Sequence, residues 1–390
     1  MQSITEKLGA PPLLPSVGKP PSLRELSLRI TVSTPMAGGG VEAGIVDTQR
    51  PVRVPSIRGH LRYWWRMMNM NSQDKDEREA EIWGSTEKPG KVYVDVPEQP
   101  NVLMRYCDNN FDFNRSGPEI YALFSSLPNR QAPGKNIAHE NFTFTLSLKY
   151  PEQFNDDVRL ALSAWIYFGG LGARTRRGCG SLSCDKVPVT LREIIEAAPH
   201  ITLWRKNSAG NNPMSAWSYA VKRYRDYRQR RNNGQENRPG RSKWPEPDSI
   251  RIMTGKYPDK HKPRNYLPLP SFPRAALGMP IIFHFKGIGE PDDVEVIPNL
   301  KDSSRMASPV ITKALCDNGT WYSAVIILPH DDIFGTKLKF KTKSRITHTE
   351  EVKPLKSNEY SKLETMPGQS DAISGFEEFI SGDFKKEAAI

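Results

Sequence analysis

Two kinds of feature are missing from this sequence of 390 residues: long apolar runs and cysteine pairs. No segment approaches the roughly 20 apolar residues that a membrane-spanning helix needs, and residues 1–21 lack the continuous apolar core of a signal peptide. The four cysteines form no Cys-x-x-Cys pair, which argues against a disulfide framework and a structural zinc site. We therefore expect a soluble protein in a reducing, cytoplasmic compartment.

Motifs for metals are missing as well. The seven histidines show no His-x-x-x-His or His-x-His spacing, and no pair of acidic residues has the pattern of a two-metal nuclease. Neither a metal nor another cofactor is expected.

What the sequence does contain is an excess of positive charge. Lysine and arginine number 55 and aspartate and glutamate 44, which gives a formal net charge of +11. This balance favours a nucleic acid or another acidic partner and says nothing about the fold.

The first half of the chain alternates between strand and helix patterns. Apolar residues with a period of two predict strands at residues 23–34, 92–96, 141–149 and 182–189. Apolar residues at helical spacing predict helices that begin near Ser56 and Asn155, each interpreted as an N-cap. The order β-α-β-β-α-β is that of a ferredoxin-like (RRM-like) domain, which we expect over residues 20–190.

The second half is less regular. Its patterns predict a helix at 213–231, a polar loop at 232–249, strands at 281–286, 307–315, 321–328 and 337–345, and a short helix carrying Ile373, Phe376, Ile380 and Phe384. We expect an α+β fold with a second, degenerate ferredoxin-like domain over residues 200–353 and a C-terminal tail at 354–390. Residues 97–140 are interpreted as a long insertion.

Residues 169–181 form the most distinctive segment, hereafter the glycine loop. It contains five glycines and three arginines without a carboxylate. Glycine lets the backbone approach a ligand closely, and the planar guanidinium group matches a phosphate. The loop is not a P-loop, because no Gly-Lys-Ser/Thr follows and it leaves a helix instead of a strand. Since a helix C-cap does not require this composition, the loop predicts a site for a polyanion backbone.

A second basic segment, residues 50–66, contains five arginines and no acidic residue. The predicted helix would start within it, and a helix N-terminus offers free N–H groups and partial positive charge to a phosphate. Arg58 and Gly59 would lie in the first turn. The neighbouring Trp64 and Trp65 are interpreted as core residues.

Two further clusters are basic. Six of the ten residues at 222–231 are Lys or Arg, and this run is equally typical of a solvated helix face. Residues 337–345 place a cation at every second position, which is more typical of a charged edge strand that resists aggregation than of an RNA contact.

Taken together, these segments resemble the RAMP superfamily of CRISPR-associated RNA-binding proteins, and within it the first subunits of type III-B Cmr effector complexes. The resemblance spans residues 22–330 and is carried by residues 55–66, 82–85, the glycine loop, 277–281 and 305–309. Cys179 stands where an aromatic residue is expected, and the tail from residue 354 has no counterpart.

The resemblance implies two RAMP domains in one chain and no catalysis by this subunit. It implies a place at the end of a Cmr assembly, near the 3′ side of the guide. The implied partners are CRISPR guide RNA, single-stranded target RNA and the other Cmr subunits. The candidate RNA-binding residues are Arg53, Ser56, Arg58, Arg62, Gly170, Gly172, Arg174, Thr175, Arg176, Arg177, Gly178, Lys222 and Arg223.

The outward face of the first predicted sheet carries Ser, Thr, Arg and Glu and no paired aromatic residues, which argues against base stacking. Contact with the phosphate backbone, independent of sequence, is favoured. Two other functions stay open. One is a metal-independent endoribonuclease that uses His60 as a general acid or base, with Arg62 or Lys149 as the second group. The other is a scaffold subunit that contacts only protein.

Overall fold

The structure, a computed structural model, describes residues 22–107, 117–128, 132–206, 208–210, 212–233, 240–346 and 349–387. The segment at 1–21 that was judged not to be a signal peptide lies outside these residues. Parts of the predicted insertion at 97–140 and of the predicted loop at 232–249 also lie outside them.

Helices and strands alternate along the described chain. The helices are α1 (Val54–Met68), α2 (Lys75–Trp83), α3 (Pro118–Leu123), α4 (Asn155–Phe168), α5 (Leu191–Ala197), α6 (Pro213–Arg228), α7 (Glu246–Thr254), α8 (Ser357–Tyr360) and α9 (Ala372–Ile380). The strands are β1 (Leu23–Val32), β2 (Met36–Ala37), β3 (Tyr93–Asp95), β4 (Met104–Tyr106), β5 (Asn136–Ala138), β6 (Phe142–Pro151), β7 (Leu182–Ser183), β8 (Thr202–Lys206), β9 (Ile281–Phe283), β10 (Val294–Pro298), β11 (Val310–Asp317), β12 (Thr320–Ile327), β13 (Leu338–Lys341) and β14 (Phe384–Glu387).

The first large sheet has the strand order β3-β6-β1-β7, with antiparallel neighbours. β1 and β6 pair along their whole length, from Leu23 opposite Pro151 to Val32 opposite Phe142. The apolar positions of β6 are buried and its Thr and Ser positions are more exposed, which confirms the predicted alternation.

Helices α1 and α4 pack against each other and cover the apolar face of this sheet. The apolar stripes of both helices are buried, and Trp64 and Trp65 belong to the core as predicted. The indole nitrogen of Trp65 donates to the Asp157 carboxylate at 2.8 Å, which fixes α1 against the first turn of α4.

The second large sheet has the order β11-β12-β8-β14, again antiparallel. One of its faces contributes Ile311 and Leu315 to the core formed by α1 and α4. The opposite face contributes Val325 and Ile327 to a second core that includes α6 and α9. The first half and the second half of the chain therefore share a buried layer.

The predicted C-terminal tail is corrected by this sheet. β14 pairs with β8, from Phe384 opposite Lys206 to Glu387 opposite Leu203. Ile373, Phe376 and Ile380 are buried in α9 as predicted, but Phe384 belongs to the strand instead of the helix. Residues 372–387 thus belong to the second sheet, through β14, and to the core that packs on it, through α9.

Two smaller sheets complete the α+β architecture: β2-β5-β4 and β13-β10-β9. The first lies partly in the predicted insertion. The second contains β13, which is shorter than the strand expected at 337–345.

Both predicted N-caps are corrected. Helix α1 has Arg53 as its N-cap, and Ser56 lies in its first turn without a capping hydrogen bond. Pro55 is accommodated in that turn because the proline ring already has the helical φ and lacks the N–H that a first turn leaves unpaired. Helix α4 has Phe154 as its N-cap, and Asn155 is its first residue. Strand β7 ends at Ser183, well short of the predicted residue 189.

Candidate nucleic-acid interface

The glycine loop leaves α4 at Gly169 and contains one turn of 3-10 helix, Thr175–Arg177. Gly178 has a φ of +71°, and a Cβ atom there would lie 2.5 Å from the Trp217 ring. Gly172 has a φ of +85°, and its Cβ would lie 2.6 Å from the Met36 side chain. Glycine is required at both positions by conformation and by space.

Gly170 and Thr175 lie close together inside the same bend. The carbonyl of Gly170 accepts a hydrogen bond from the Trp165 indole at 3.0 Å. A Cβ at Gly170 would meet the carbonyl of Gly180 at 2.9 Å and the Thr175 methyl at 3.2 Å. This part of the loop is therefore folded tightly upon itself.

The three loop arginines are half-buried and donate to other segments of the chain. Arg174 donates to the carbonyls of Ala122 at 2.8 Å and Tyr121 at 3.2 Å, and burial lowers the pKa of its guanidinium. These bonds attach the loop to α3.

Arg176 and Arg177 face the second half of the chain. Arg176 donates to the carbonyl of Ser308 and to the hydroxyl of Tyr63, the latter at 3.2 Å. Arg177 donates to the Tyr224 hydroxyl at 2.8 Å and to a β11 carbonyl. The structure therefore gives all three arginines a role in joining the loop to its surroundings.

A second glycine run meets the glycine loop. Ala173 donates from its amide to the carbonyl of Ala37 at 2.6 Å, and a Cβ at Gly39 would lie 2.9 Å from the Cα of Gly172. Arg53, at the start of α1, donates to the carbonyl of Gly39 at 3.3 Å. The loop, residues 38–40 and the N-terminus of α1 thus converge on one rim.

Sequence reasoning did not include residues 38–40 among the candidate site residues. The signal that could have found them is the run of three consecutive glycines, which is rare outside close backbone contacts. Further along α1, Ser56 is half-buried, and Gly59 is exposed with open space around its Cα.

The other arginines of α1 face α2. Arg58 donates to the carbonyls of Trp83 and Val92, at 3.2 and 2.5 Å. Arg62 and Arg66 both bind the buried carboxylate of Glu79. The predicted basic stripe of α1 is therefore paired with protein groups, and Arg58 and Arg62 lie away from the rim.

Lys222 and Arg223 lie on α6, at another place in the molecule. Lys222 forms an ion pair with Asp226 at 2.5 Å. Arg223 donates to the Asp383 carboxylate at 3.0 Å and stacks over the Phe379 ring. Arg223 therefore faces residues near the end of α9, Lys222 faces its own helix, and no bond among the described residues joins either of them to the glycine loop.

His60 stacks on the indole of Trp165, with 6.0 Å between the ring centroids. Burial lowers the pKa of its imidazole to about 4, so the ring is neutral near pH 7. Arg62 is bound to Glu79, and Lys149 forms an ion pair with Glu25 at 2.6 Å. Both groups considered as partners of a His60 acid or base are thus engaged by carboxylates.

Within the described ranges, no group of three or more His, Cys, Asp or Glu side chains is arranged to hold a metal ion. No helix in the described part of the chain is long and apolar enough to cross a bilayer.

The glycine loop lies inside the part of the chain that matches a known protein family. Residues 29–183 match the family model described as the RAMP superfamily. The CRISPR system Cmr subunit Cmr1-1 of Pyrococcus furiosus is 25% identical over 206 residues, which cover 45% of this chain and 58% of that protein. The alignment thus spans little more than half the length of the relative.

A solved structure agrees on the fold. The crystal structure of Cmr1 from Pyrococcus furiosus in its apo form matches with a TM-score of 0.50 at 18% identity, covering 94% of this chain and 98% of the other. The sequence matches confirm the resemblance to the RAMP superfamily and to Cmr subunits, and this structural match supports the shared fold.

Proposed function

We propose, from the RAMP superfamily match of residues 29–183, that this chain is a non-catalytic, RNA-binding subunit of a type III-B CRISPR (Cmr) effector complex. It would lie at the end of the assembly near the 3′ side of the guide RNA and help to hold the target RNA. Its partners would be the guide, the single-stranded target and the other Cmr subunits, and its compartment the cytoplasm.

The observation that carries the proposal is the rim formed by the glycine loop, residues 38–40 and the start of α1. Gly39 and Gly172 bring two backbone segments into van der Waals contact, and Arg53 lies beside them at the N-cap of α1. Free N–H groups at a helix N-terminus, next to a cation and glycine backbone, suit the phosphates of an RNA strand.

Within this rim, we divide the candidate residues by role. Arg174, Arg176 and Arg177 hold the loop in shape through bonds to carbonyl oxygens, and any RNA contact uses their remaining N–H groups. Arg53, Ser56 and the exposed helix surface at Gly59 provide the more open contact points. Base pairing between guide and target would supply the sequence specificity.

Both halves of the chain are proposed to be ferredoxin-like. In the first, the strands in chain order are β1, β3, β6 and β7, with α1 after the first and α4 after the third. In the second, β8, β11, β12 and β14 alternate with α6 and α9 in the same way. Both sheets have the second strand at one edge, followed by the third, the first and the fourth. We accordingly place the first domain at residues 20–190 and extend the second from 200 to at least 387.

The proposal is tested with RNA crosslinking in the purified assembly, mapped to peptides. Peptides that contain residues 50–66 and the glycine loop should carry the crosslinks. The variant whose RNA binding is measured is Gly59→Glu. The exposed glycine has room for a side chain, and a carboxylate there would repel a phosphate. Gly382→Glu is the matched control, since that glycine also has nothing within 4 Å.

The expected result is weaker RNA binding by Gly59→Glu at equal or higher thermal stability, because glutamate favours a helix more than glycine does, while Gly382→Glu should bind RNA like the parent protein. If both variants retain full binding of guide and target and the crosslinks map elsewhere, this rim is not the RNA site. If the assembly forms normally and no RNA contact by this subunit is found, the scaffold function replaces the RNA-binding one.

The endoribonuclease alternative is tested separately by incubating the parent protein and His60→Ala with repeat RNA. We expect no cleavage by either protein, because a ring with a pKa of about 4 is a poor base and is unprotonated at neutral pH. Cleavage by the parent that His60→Ala abolishes would establish catalysis.

A further inference from the structure

A row of cations lies on the small sheet β13-β10-β9, far along the chain from the glycine loop. The basic ladder consists of Lys337, Lys339, Lys341, Lys343 and Arg345, and all five residues are exposed. The four residues between them, at 338, 340, 342 and 344, are buried or half-buried. Lys339 and Lys341 lie in β13 and share one face of that strand, while Lys337, Lys343 and Arg345 are exposed on either side of it.

Carboxylates lie opposite two of the five cations: Glu351 is the bridge partner of Lys337, and Glu295 is the strand partner of Lys341. Among the described residues, the recorded ion pair of the ladder is the one between Lys341 and Glu295, at 3.5 Å. The two cations inside β13, Lys339 and Lys341, are about 7 Å apart, twice the rise of a strand residue, and like charges at this spacing repel one another unless an anion lies beside them. A polyanion with a comparable backbone repeat would relieve this repulsion.

A groove runs beside the ladder. It has a volume of about 320 Å³ and is lined by residues 297–304 together with Lys339 and Lys341. Its wall offers Lys301, Ser303 and the amide of Asn299, while Asp302 is its one carboxylate. Hydroxyl, amide and ammonium groups are the donors that bind phosphate oxygens in nucleic-acid complexes.

The need to keep a sheet edge from pairing with another molecule does not explain all five cations of the ladder. Near its beginning, the edge of β13 is already covered by the chain itself, because Leu338 donates to the carbonyl of Glu350 at 2.7 Å and Val352 donates to the carbonyl of Thr336 at 2.9 Å. A covered edge needs no charge to prevent pairing with another molecule. Lys337 lies within this covered stretch, and Lys339 follows it directly.

We propose that the basic ladder and the groove at residues 297–304 bind the phosphate backbone of single-stranded RNA, as a second contact distinct from the glycine-loop rim. The inference rests on the proposed RNA-binding function and extends it. Binding is independent of sequence, because the surface presents cations and short polar groups without aromatic residues for base stacking.

The test is a salt titration of RNA binding by the full chain, with a fluorescently labelled single-stranded RNA of mixed sequence. The ladder variant is the triple substitution Lys339→Gln, Lys341→Gln and Lys343→Gln. Three lost phosphate contacts should reduce the slope of log K against log salt by about 2, since each contact in a single strand contributes about 0.7. Affinity at low salt should fall by at least about tenfold.

The matched control carries the same charge change at exposed lysines elsewhere: Lys88→Gln, Lys186→Gln and Lys260→Gln. It should retain the parent slope and affinity. Equal losses in both triple variants would mean that net charge alone is responsible, and an unchanged ladder variant would mean that the ladder does not bind RNA. Either result overturns the inference.

The Gly59→Glu variant in the same titration separates this inference from the proposed function. If Gly59→Glu weakens binding and the ladder variant does not, the rim stands and the ladder fails. If only the ladder variant weakens binding, the ladder is the RNA site and the rim fails. If the ladder variant binds RNA normally but no longer co-purifies with another Cmr subunit, its partner is an acidic protein surface and the inference is overturned.

Discussion

Arg177 in the glycine loop donates from Nη1 to the carbonyl oxygen of Val310 in β11 at 2.9 Å, across 133 positions of sequence. The same side chain reaches the hydroxyl of Tyr224 on α6. One arginine thereby joins three elements, from both halves of the chain. This joining role predicts that Arg177 contributes to stability, whichever ligand the loop binds.

Replacement of Arg177 by Gln should lower the free energy of unfolding by about 2 kcal/mol, because buried acceptors lose a charged donor. The measurement is urea unfolding followed by tryptophan fluorescence. Arg192→Gln is the control: Arg192 is paired with Glu196 on the surface of α5, and its loss should change the free energy of unfolding far less, because solvent screens an exposed ion pair. Equal effects of the two substitutions would contradict a joining role for Arg177.

Gly178→Ala should destabilise the protein by about 2–4 kcal/mol, from the left-handed backbone and from overpacking against Trp217 and the Thr312 carbonyl. Gly59→Ala is the paired substitution, and it should stabilise the protein by up to about 1 kcal/mol because alanine favours a helix interior. Thermal unfolding of both variants measures the contrast. A Gly178→Ala variant as stable as the parent would show that the loop rearranges freely.

His60 should make the folded state sensitive to mild acid. Its pKa is about 4 in the folded protein and about 6.5 when unfolded, so the unfolded chain binds the extra proton as the pH falls through this window. The folded state should therefore lose about 2 kcal/mol from this group between pH 7 and pH 5.

His60→Phe keeps a ring against Trp165 and removes the titration. The difference in unfolding free energy between the parent and His60→Phe should shift in favour of the variant as the pH is lowered from 7 to 5. A difference that does not change with pH would mean that the imidazole is protonated without cost in the folded protein.

Lys313 is buried on the face of β11 that meets α4, and its ammonium nitrogen donates to the carbonyl of Gly169 at 2.5 Å. Burial lowers the pKa of this amine to about 7. Since the unfolded chain holds the proton up to about pH 10.5, unfolding takes up a proton between these values, and stability should rise by about 2 kcal/mol from pH 7 to pH 9.

The check is Lys313→Met, which has a similar length and no charge. Its unfolding free energy should depend less on pH between 7 and 9 than that of the parent protein. The same pH dependence in both proteins would place the ammonium group in contact with solvent or with a counter-ion.

The sequence predicted the parts of the fold that depend on local periodicity. β1, β6, α1 and α4 were found because their apolar residues repeat at the period of a strand or a helix. The start of α1 was misplaced because serine is a good N-cap, while Pro55 fits equally well inside the first turn. The strand β14 was missed because Phe384 also continues the helical spacing of α9.

The composition of the candidate site is evident in the sequence, but the protein groups that its side chains contact are not. The glycine loop and the arginines of residues 50–66 are evident in the sequence, and Arg53 does lie on the rim with Gly172. The pairing of Arg62 and Arg66 with Glu79, and of Arg176 with the Ser308 carbonyl, depends on tertiary packing that no local pattern encodes. Those partners decide which cations remain open to a ligand.

The pairing of β8 with β14 has a consequence for biosynthesis. β8 lies inside its sheet, yet one of its two neighbours is formed by residues 384–387, some 180 positions later. During translation this strand is left with one open flank until those residues have emerged, and such an unpaired flank is prone to association with other nascent chains. Protein chains that end before residue 384 should therefore aggregate, even though they contain the whole glycine loop.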